Sequence, residues 1–214
     1  MRKLSDLAGK LSAQLDQSIA LCDVADKLVS LGTHRTAGIR LPRNFRVNIY
    51  EASFLRGYAQ WEVFLEETLL RYMCGFRNRT GLMRLKTGTS FYPKLNAART
   101  ALYSGNDFLT WHNPRTTIGR SQRYFVNGLH ETVTASVCND LLELSYIRHR
   151  IAHDQADARS KFNTLTRARA VKIYKGSRPG LFLYDGYTGV GGPCRWIDKI
   201  FLDLKALAAQ VAPF

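Results

Sequence analysis

The chain has 214 residues, enough for one domain of ordinary size or one with an appendage. It is 45% hydrophobic and 22% charged, which supplies a core and excludes a disordered polymer. Lys and Arg number 31 against 17 Asp and Glu, a formal net charge of +14, which points to a polyanionic partner, nucleic acid ahead of an anionic membrane.

The first residues, Met1 to Gln17, are polar and amphipathic, without the apolar core of a signal peptide. No apolar run approaches the roughly 18 residues of a membrane span, so no membrane association and a cytoplasmic location are expected. Cys22, Cys74, Cys138 and Cys194 lie far apart, with no Cys-x-x-Cys pair and no Cys/His cluster. A metal site and a cofactor are therefore not expected, and free thiols fit a reducing compartment.

In chain order, the first helix is predicted from about Leu4 to Leu31. Leu4, Leu7, Leu11, Leu15, Ile19, Cys22, Ala25 and Leu28 recur every three or four residues and mark one buried stripe. Gly32 is the expected stop, and residues 32–43 form a loop closed by Pro42. The second helix, about Asn44 to Cys74, carries a large aromatic stripe: Tyr50, Phe54, Tyr58, Trp61, Leu65, Leu69 and Tyr72. Glu62 flanks that stripe and is either a surface group or a partner for an inward cation.

Residues 76–128 are less regular, with short helices expected over Lys94–Tyr103 and after Thr116. From Arg71 to Arg123 there are ten basic residues and one acid, Asp107. Aromatic residues are interleaved, among them Phe76, Phe91, Tyr92, Tyr103, Phe108 and Trp111. Cations for phosphates mixed with rings for unstacked bases suit single-stranded nucleic acid. Arg77, Arg79, Arg84, Lys86, Arg120 and Arg123 are the candidate RNA-binding residues of this stretch. The alternative is that the rings are core and the cations a solvated face.

A third main helix is expected from about Leu129 to Ile151, with Val133, Val137, Leu141, Leu144 and Ile151 on one face. Arg148 falls on that face too. A charge there needs a partner, such as Glu62 or Glu143, or a polar cleft. The run Arg148-His149-Arg150-Ile151-Ala152-His153 is the strongest chemical signal in the chain. Arginine grips phosphate with two hydrogen bonds, and histidine exchanges protons near neutral pH. Asp154 then reads as a helix N-cap, with Asp157 in the first turn of a fourth helix.

From Ala170 the pattern changes. AVKIYK, GSRPG and LFLYDG read as a β-hairpin around a Pro-Gly turn. Residues 188–193 are Gly-rich but lack the Lys-Ser/Thr of a phosphate-binding loop. Trp196, Ile200, Leu204, Leu207 and Val211 mark a last helix. The fold expected is mainly α: a bundle of four to five helices over residues 1–170, with a small hairpin and a final helix over 171–214 on the same domain.

An all-helical core with Arg148 and His153 in an Arg-x4-His spacing near the end of a late helix resembles the HEPN superfamily. The segment from Tyr50-Glu51-Ala52-Ser53-Phe54-Leu55 through Trp61-Glu62-Val63-Phe64-Leu65 is similar to the long helix of its RiboL-PSP-like branch. The resemblance covers about residues 1–170. It implies a metal-independent endoribonuclease in which the ribose 2′-OH attacks the adjacent phosphate, leaving a 2′,3′-cyclic phosphate. It also implies a homodimer with a composite active site, in the service of a toxin or antiphage defence system, with an antitoxin or defence-system protein as a further partner.

The catalytic candidates are then Arg148, His153 and His149. Arg150 assists at the RNA, and Glu62 is a possible orienting carboxylate. Active members commonly carry Asn directly after the arginine; here His149 adds a second proton carrier. On a straight helix, residues five apart point about 140° from each other. Arg148 and His153 therefore converge only through a break at His153 or through a second subunit. The alternatives are a non-catalytic HEPN module that binds RNA or a nucleotide, and a helical interaction protein with no such chemistry.

Overall fold

In the computed structural model the described residues are 2–30, 35–36, 39–40, 42, 44–189 and 192–214. Helices dominate. They are α1 (Leu7–Ser30), α2 (Phe45–Met73), α3 (Leu95–Tyr103), α4 (Pro114–Tyr124), α5 (Leu129–Ser136), α6 (Cys138–Ala152), α7 (Ala156–Ala170), α8 (Pro179–Tyr184) and α9 (Trp196–Val211). A short 3-10 helix at Lys175–Ser177 and two antiparallel pairs of two-residue strands complete the described elements: β1 (Arg35–Thr36) with β2 (Ile39–Arg40), and β3 (Gly186–Tyr187) with β4 (Cys194–Arg195). The protein is mainly α, with a small hairpin near its C-terminal end followed by a last helix. The expected stop at Gly32 lies outside the described residues.

The chain divides into two compact units. One comprises Met1–Ser12, Gln60–Leu142 and Leu204–Phe214; the other comprises Ala13–Ala59 and Glu143–Asp203.

In the first unit the α2 residues Trp61, Leu65, Leu69 and Tyr72 are buried, and Trp61 stacks on Phe64. The Tyr72 hydroxyl donates to the Val211 carbonyl at 2.7 Å and accepts from Asn78 at 3.2 Å. His130 is fully buried and meets the Leu65 carbonyl through Nε2 at 3.0 Å. Burial pushes its pKa down to about 4, so at neutral pH the ring is uncharged and the Nε2 proton is donated to that carbonyl. Asn113 caps α4 by accepting from the Arg115 N–H, with Pro114 in the first turn, the favoured place for proline.

In the second unit Tyr50, Phe54 and Tyr58 of α2 are buried, and Phe54 stacks on both Tyr58 and Phe201. Phe182 of α8 sits among Phe162, Tyr174 and Trp196. Arg195 ties three segments of this unit together. Its guanidinium meets Asp23 at 2.7 Å, Asp26 at 3.0 Å and Asp198 at 2.7 Å, and donates to the Tyr50 hydroxyl. Three carboxylates around one cation mark Arg195 as a structural cross-link.

Three readings of the sequence need correction. Residues 129–151 form two helices, because Val137 leaves helical geometry at φ −128°, ψ 27°. The hairpin is not made by AVKIYK and LFLYDG. Pro179 starts the short helix α8, the Gly180 N–H donates to Glu51, and the strands pair farther on, Gly186 with Arg195 and Tyr187 with Cys194. An apolar LFLY run suits a buried helical turn as well as a strand, and proline at the first helical position decides between them. Asp154 does not cap α7. Gln155 takes that position without a side-chain bond, and Asp154 pairs instead with Arg150 and Arg159.

Gly57 gives a test of the packing. A glycine inside a helix usually costs about 1 kcal/mol relative to alanine. Here a Cβ would stand 2.4 Å from Phe201 Cζ and 3.0 Å from Leu15 Cδ2. Phe201 is fully buried and stacked, so it has nowhere to retreat. Gly57→Ala is expected to destabilise the protein by about 1–2 kcal/mol, within the range for overpacking. Urea unfolding measures it, and a raised midpoint would show that the ring has room.

Candidate functional site

The α-helix of the Arg-His-Arg run ends at Ala152, so His153 is the first residue beyond it. The His153 N–H still donates to the His149 carbonyl at 2.9 Å, the last bond of the helical ladder. Four residues apart, the two side chains share a face. Their rings lie 4.7 Å apart, centroid to centroid, inclined at 51°. His153 is exposed and His149 half-buried.

The charges around His149 come from two helices. Burial, then the His153 ring, then Lys161 of α7, then Arg148 hold its pKa below the ordinary histidine value; Asp157 pulls the other way. Lys161 lies 2.7 Å from Asp157 and over the Tyr146 ring. Arg148 is half-buried, and its charge bears on His149. Glu143, one of its candidate partners, is bonded by Arg169 at 2.7 Å. The site thus offers an imidazole whose pKa is held below the ordinary histidine value, a second, exposed imidazole against it, and the charges of Arg148 and Lys161 acting on the first. That combination suits acid–base work on an anionic substrate.

Arg150 sits differently from its neighbours. Its side chain is 11% exposed and is committed to the protein. It donates from Nε to the Ser177 carbonyl at 3.0 Å, from Nη1 to the His153 carbonyl at 3.2 Å and from Nη2 to the Gly176 carbonyl at 3.4 Å. Asp154 stands 3.0 Å from the same Nη1.

The remaining candidates belong to the first unit. The backbone around Arg84 and Lys86 pairs with the chain just after Arg123: Leu85 bridges to Phe125, the Lys86 N–H donates to the Tyr124 carbonyl and the Val126 N–H donates to the Arg84 carbonyl. Arg84, Lys86 and Arg123 are all exposed. Arg77 and Arg79 are exposed on a separate turn, fastened to residues 2–4 and to Pro213 through the backbone. Arg120 packs over the buried Trp111 ring at 4.5 Å and donates to the Thr110 carbonyl at 2.7 Å, which is a structural placement. Glu62 lies 3.9 Å from His112 Nδ1. Its neighbour Glu66 accepts from the Tyr103 hydroxyl and from Trp111 Nε1. Of the aromatic residues in this stretch, Tyr72 and Trp111 are core, while Phe91 and Phe108 are exposed.

Sequence reasoning did not single out Lys161, Asp157 or Tyr146 as part of the histidine environment. The i, i+4 spacing of His149 and His153 was the available signal for the ring pair. The α7 residues carried none, because their approach depends on the turn at residues 153–155. No family model matches the chain, and neither a curated protein nor a solved structure matches it.

The ring pair has a measurable signature. His149 is expected to titrate below the usual histidine pKa of about 6.5. Its midpoint should rise in His153→Gln, because the His153 ring is one of the groups that hold it down. Imidazole NMR titration measures both, and a midpoint unmoved by the substitution would separate the two rings electrostatically.

Proposed function

We propose that this protein is a HEPN-type endoribonuclease that cleaves RNA by 2′-OH attack, as a toxin or antiphage defence effector. The observation that carries the reading is the contact of His149 with His153 at an exposed helix end, beside Arg148. The resemblance of the Arg-x4-His run and of the α2 segment to that superfamily supports it.

The reaction needs a base, an acid and a stabiliser of charge. A neutral imidazole takes the proton of the 2′-OH as its oxygen bonds to phosphorus. The depressed pKa of His149 fits that role. The bond to the 5′-oxygen breaks, and a protonated imidazole supplies the leaving group with its proton. His153 is placed for this role by its exposure and its contact with His149, from the same copy or from a second copy across a two-fold axis. Arg148 holds the phosphate and offsets the charge of the pentacoordinate phosphorane. The products are a 2′,3′-cyclic phosphate and a 5′-hydroxyl, so atoms and protons balance without a metal ion in the mechanism.

A non-catalytic RNA-binding module is the second reading. The exposed strip of Arg84, Lys86 and Arg123 favours it, because contacts to phosphate bind without cutting.

The deciding experiment incubates purified protein with RNA in excess EDTA. Cleavage with cyclic-phosphate ends is expected, with none for DNA of the same sequence. His153→Ala and Arg148→Ala should each lower the rate about 100-fold or more, the scale of a lost acid–base group. RNA left intact by the wild type, with binding that weakens steeply as salt rises, selects the binding module. Light scattering should show a dimer, and an active monomer would remove the composite site.

A further inference from the structure

We propose that Arg150 is a positioning residue: its guanidinium fastens the turn after α6 and thereby holds the His153 ring against His149. The inference rests on reading His153 as a reacting group, and its test does not require RNA to be cut.

Three observations support it. The guanidinium has five N–H donors, and its nitrogens meet three backbone carbonyls and a carboxylate. One carbonyl belongs to His153 itself, so Arg150 fixes the backbone from which that imidazole projects. Two belong to Gly176 and Ser177, which stand at φ 66° and φ 49°. Serine rarely adopts the left-handed region, and such a conformation persists only where its surroundings enforce it. Arg150 is that surrounding on one side, and the Ser177 N–H bond to the Tyr174 carbonyl is it on the other.

The geometry also shows why lysine is no substitute. A lysine ammonium is one point of attachment, whereas the bonds here radiate from Nε, Nη1 and Nη2 of a flat fork. Arg150 sits at the C-terminal end of α6, where the carbonyls lack helical partners and the dipole favours a cation. A lysine keeps the charge and loses the fork. Arg150→Lys therefore isolates geometry from electrostatics.

A mutant cycle read by imidazole NMR tests the proposal on the full chain. The shift in the His149 midpoint caused by His153→Gln is measured in the Arg150 background and again in Arg150→Lys. The shift is expected to fall by at least half in the lysine background, while circular dichroism shows helical content unchanged. An undiminished shift overturns the proposal. Should Arg150→Lys fail to fold, Asp154→Asn replaces it. That side chain is 74% exposed, and its loss loosens the same guanidinium, so a smaller drop in the same direction is expected and no drop overturns the proposal.

RNA kinetics add a second readout. A positioning role lowers kcat about 10-fold or more in Arg150→Lys and leaves KM in place. A raised KM with kcat held would make Arg150 a phosphate ligand and overturn the proposal. Loss of the NMR coupling together with intact RNA in every variant keeps Arg150 as the fastener and removes the nuclease reading alone.

Discussion

Side chains four apart on an α-helix stand over one another, and side chains five apart do not. That one constraint arranges the end of α6. It brings His149 and His153 into ring contact and places Arg150 beside Asp154. It keeps Arg148 and His153 from meeting on a continuous helix. The α6 helix ends at Ala152, His153 keeps the last ladder bond through its N–H, and His153 is exposed. A helix one turn longer would carry His153 onto a fixed face, away from any role at an end.

Charge in this protein divides into two kinds of work. Arg120, Arg150 and Arg195 are cross-links. Each spends its guanidinium on carbonyls, carboxylates or a ring, and none is an open phosphate site. Arg84 and Lys86 stand exposed in one backbone pairing, with exposed Arg123 in the helix end just before it. Net charge of +14 does not distinguish these kinds, because a buried fork and a solvated cation count alike. The basic balance thus overstates the surface open to a polyanion. Among the exposed cations are Arg84, Lys86 and Arg123, Arg77 and Arg79 on their turn, and others spread along the chain, such as Lys94, Arg115 and Lys175.

Much of the fold was legible where apolar spacing is long and regular. The α2 stripe from Tyr50 to Tyr72 is buried throughout, and the observed helix, Phe45–Met73, departs by one residue at each end from the pattern. Legibility failed where local chemistry admits two answers. LFLY after Pro-Gly has strand composition, but a proline ring preset for a first helical turn and the Glu51 acceptor for the Gly180 N–H favour helix. Asp154 has the residue type of a cap, yet two guanidinium groups outbid a single backbone N–H for its carboxylate. The break at Val137 left no mark, since valine is common in helices and strands alike. In the site, the motif residues were visible from spacing, whereas Lys161 and Asp157 were not, because they arrive through a tertiary turn.

The strained segment after α7 explains why the histidine corner needs a fastener at all. Val171 ends α7 in the left-handed region at φ 52°, a costly state for a β-branched residue, and is almost fully exposed, so packing does not hold it there. Gly176 and Ser177 turn the chain the same way. Between them, Lys172 and Tyr174 are tied to Asp185, and just after them Arg178 is tied to Asn48. These ties are polar, and the Tyr174 ring is buried. A segment held by directed bonds has one register, where an apolar contact would tolerate sliding. Arg150 joins that fixed register to the His153 carbonyl, so the backbone at the end of α6 inherits the precision of the loop. The short-range order of the imidazole pair thus depends on residues more than twenty positions away in sequence, through one planar cation.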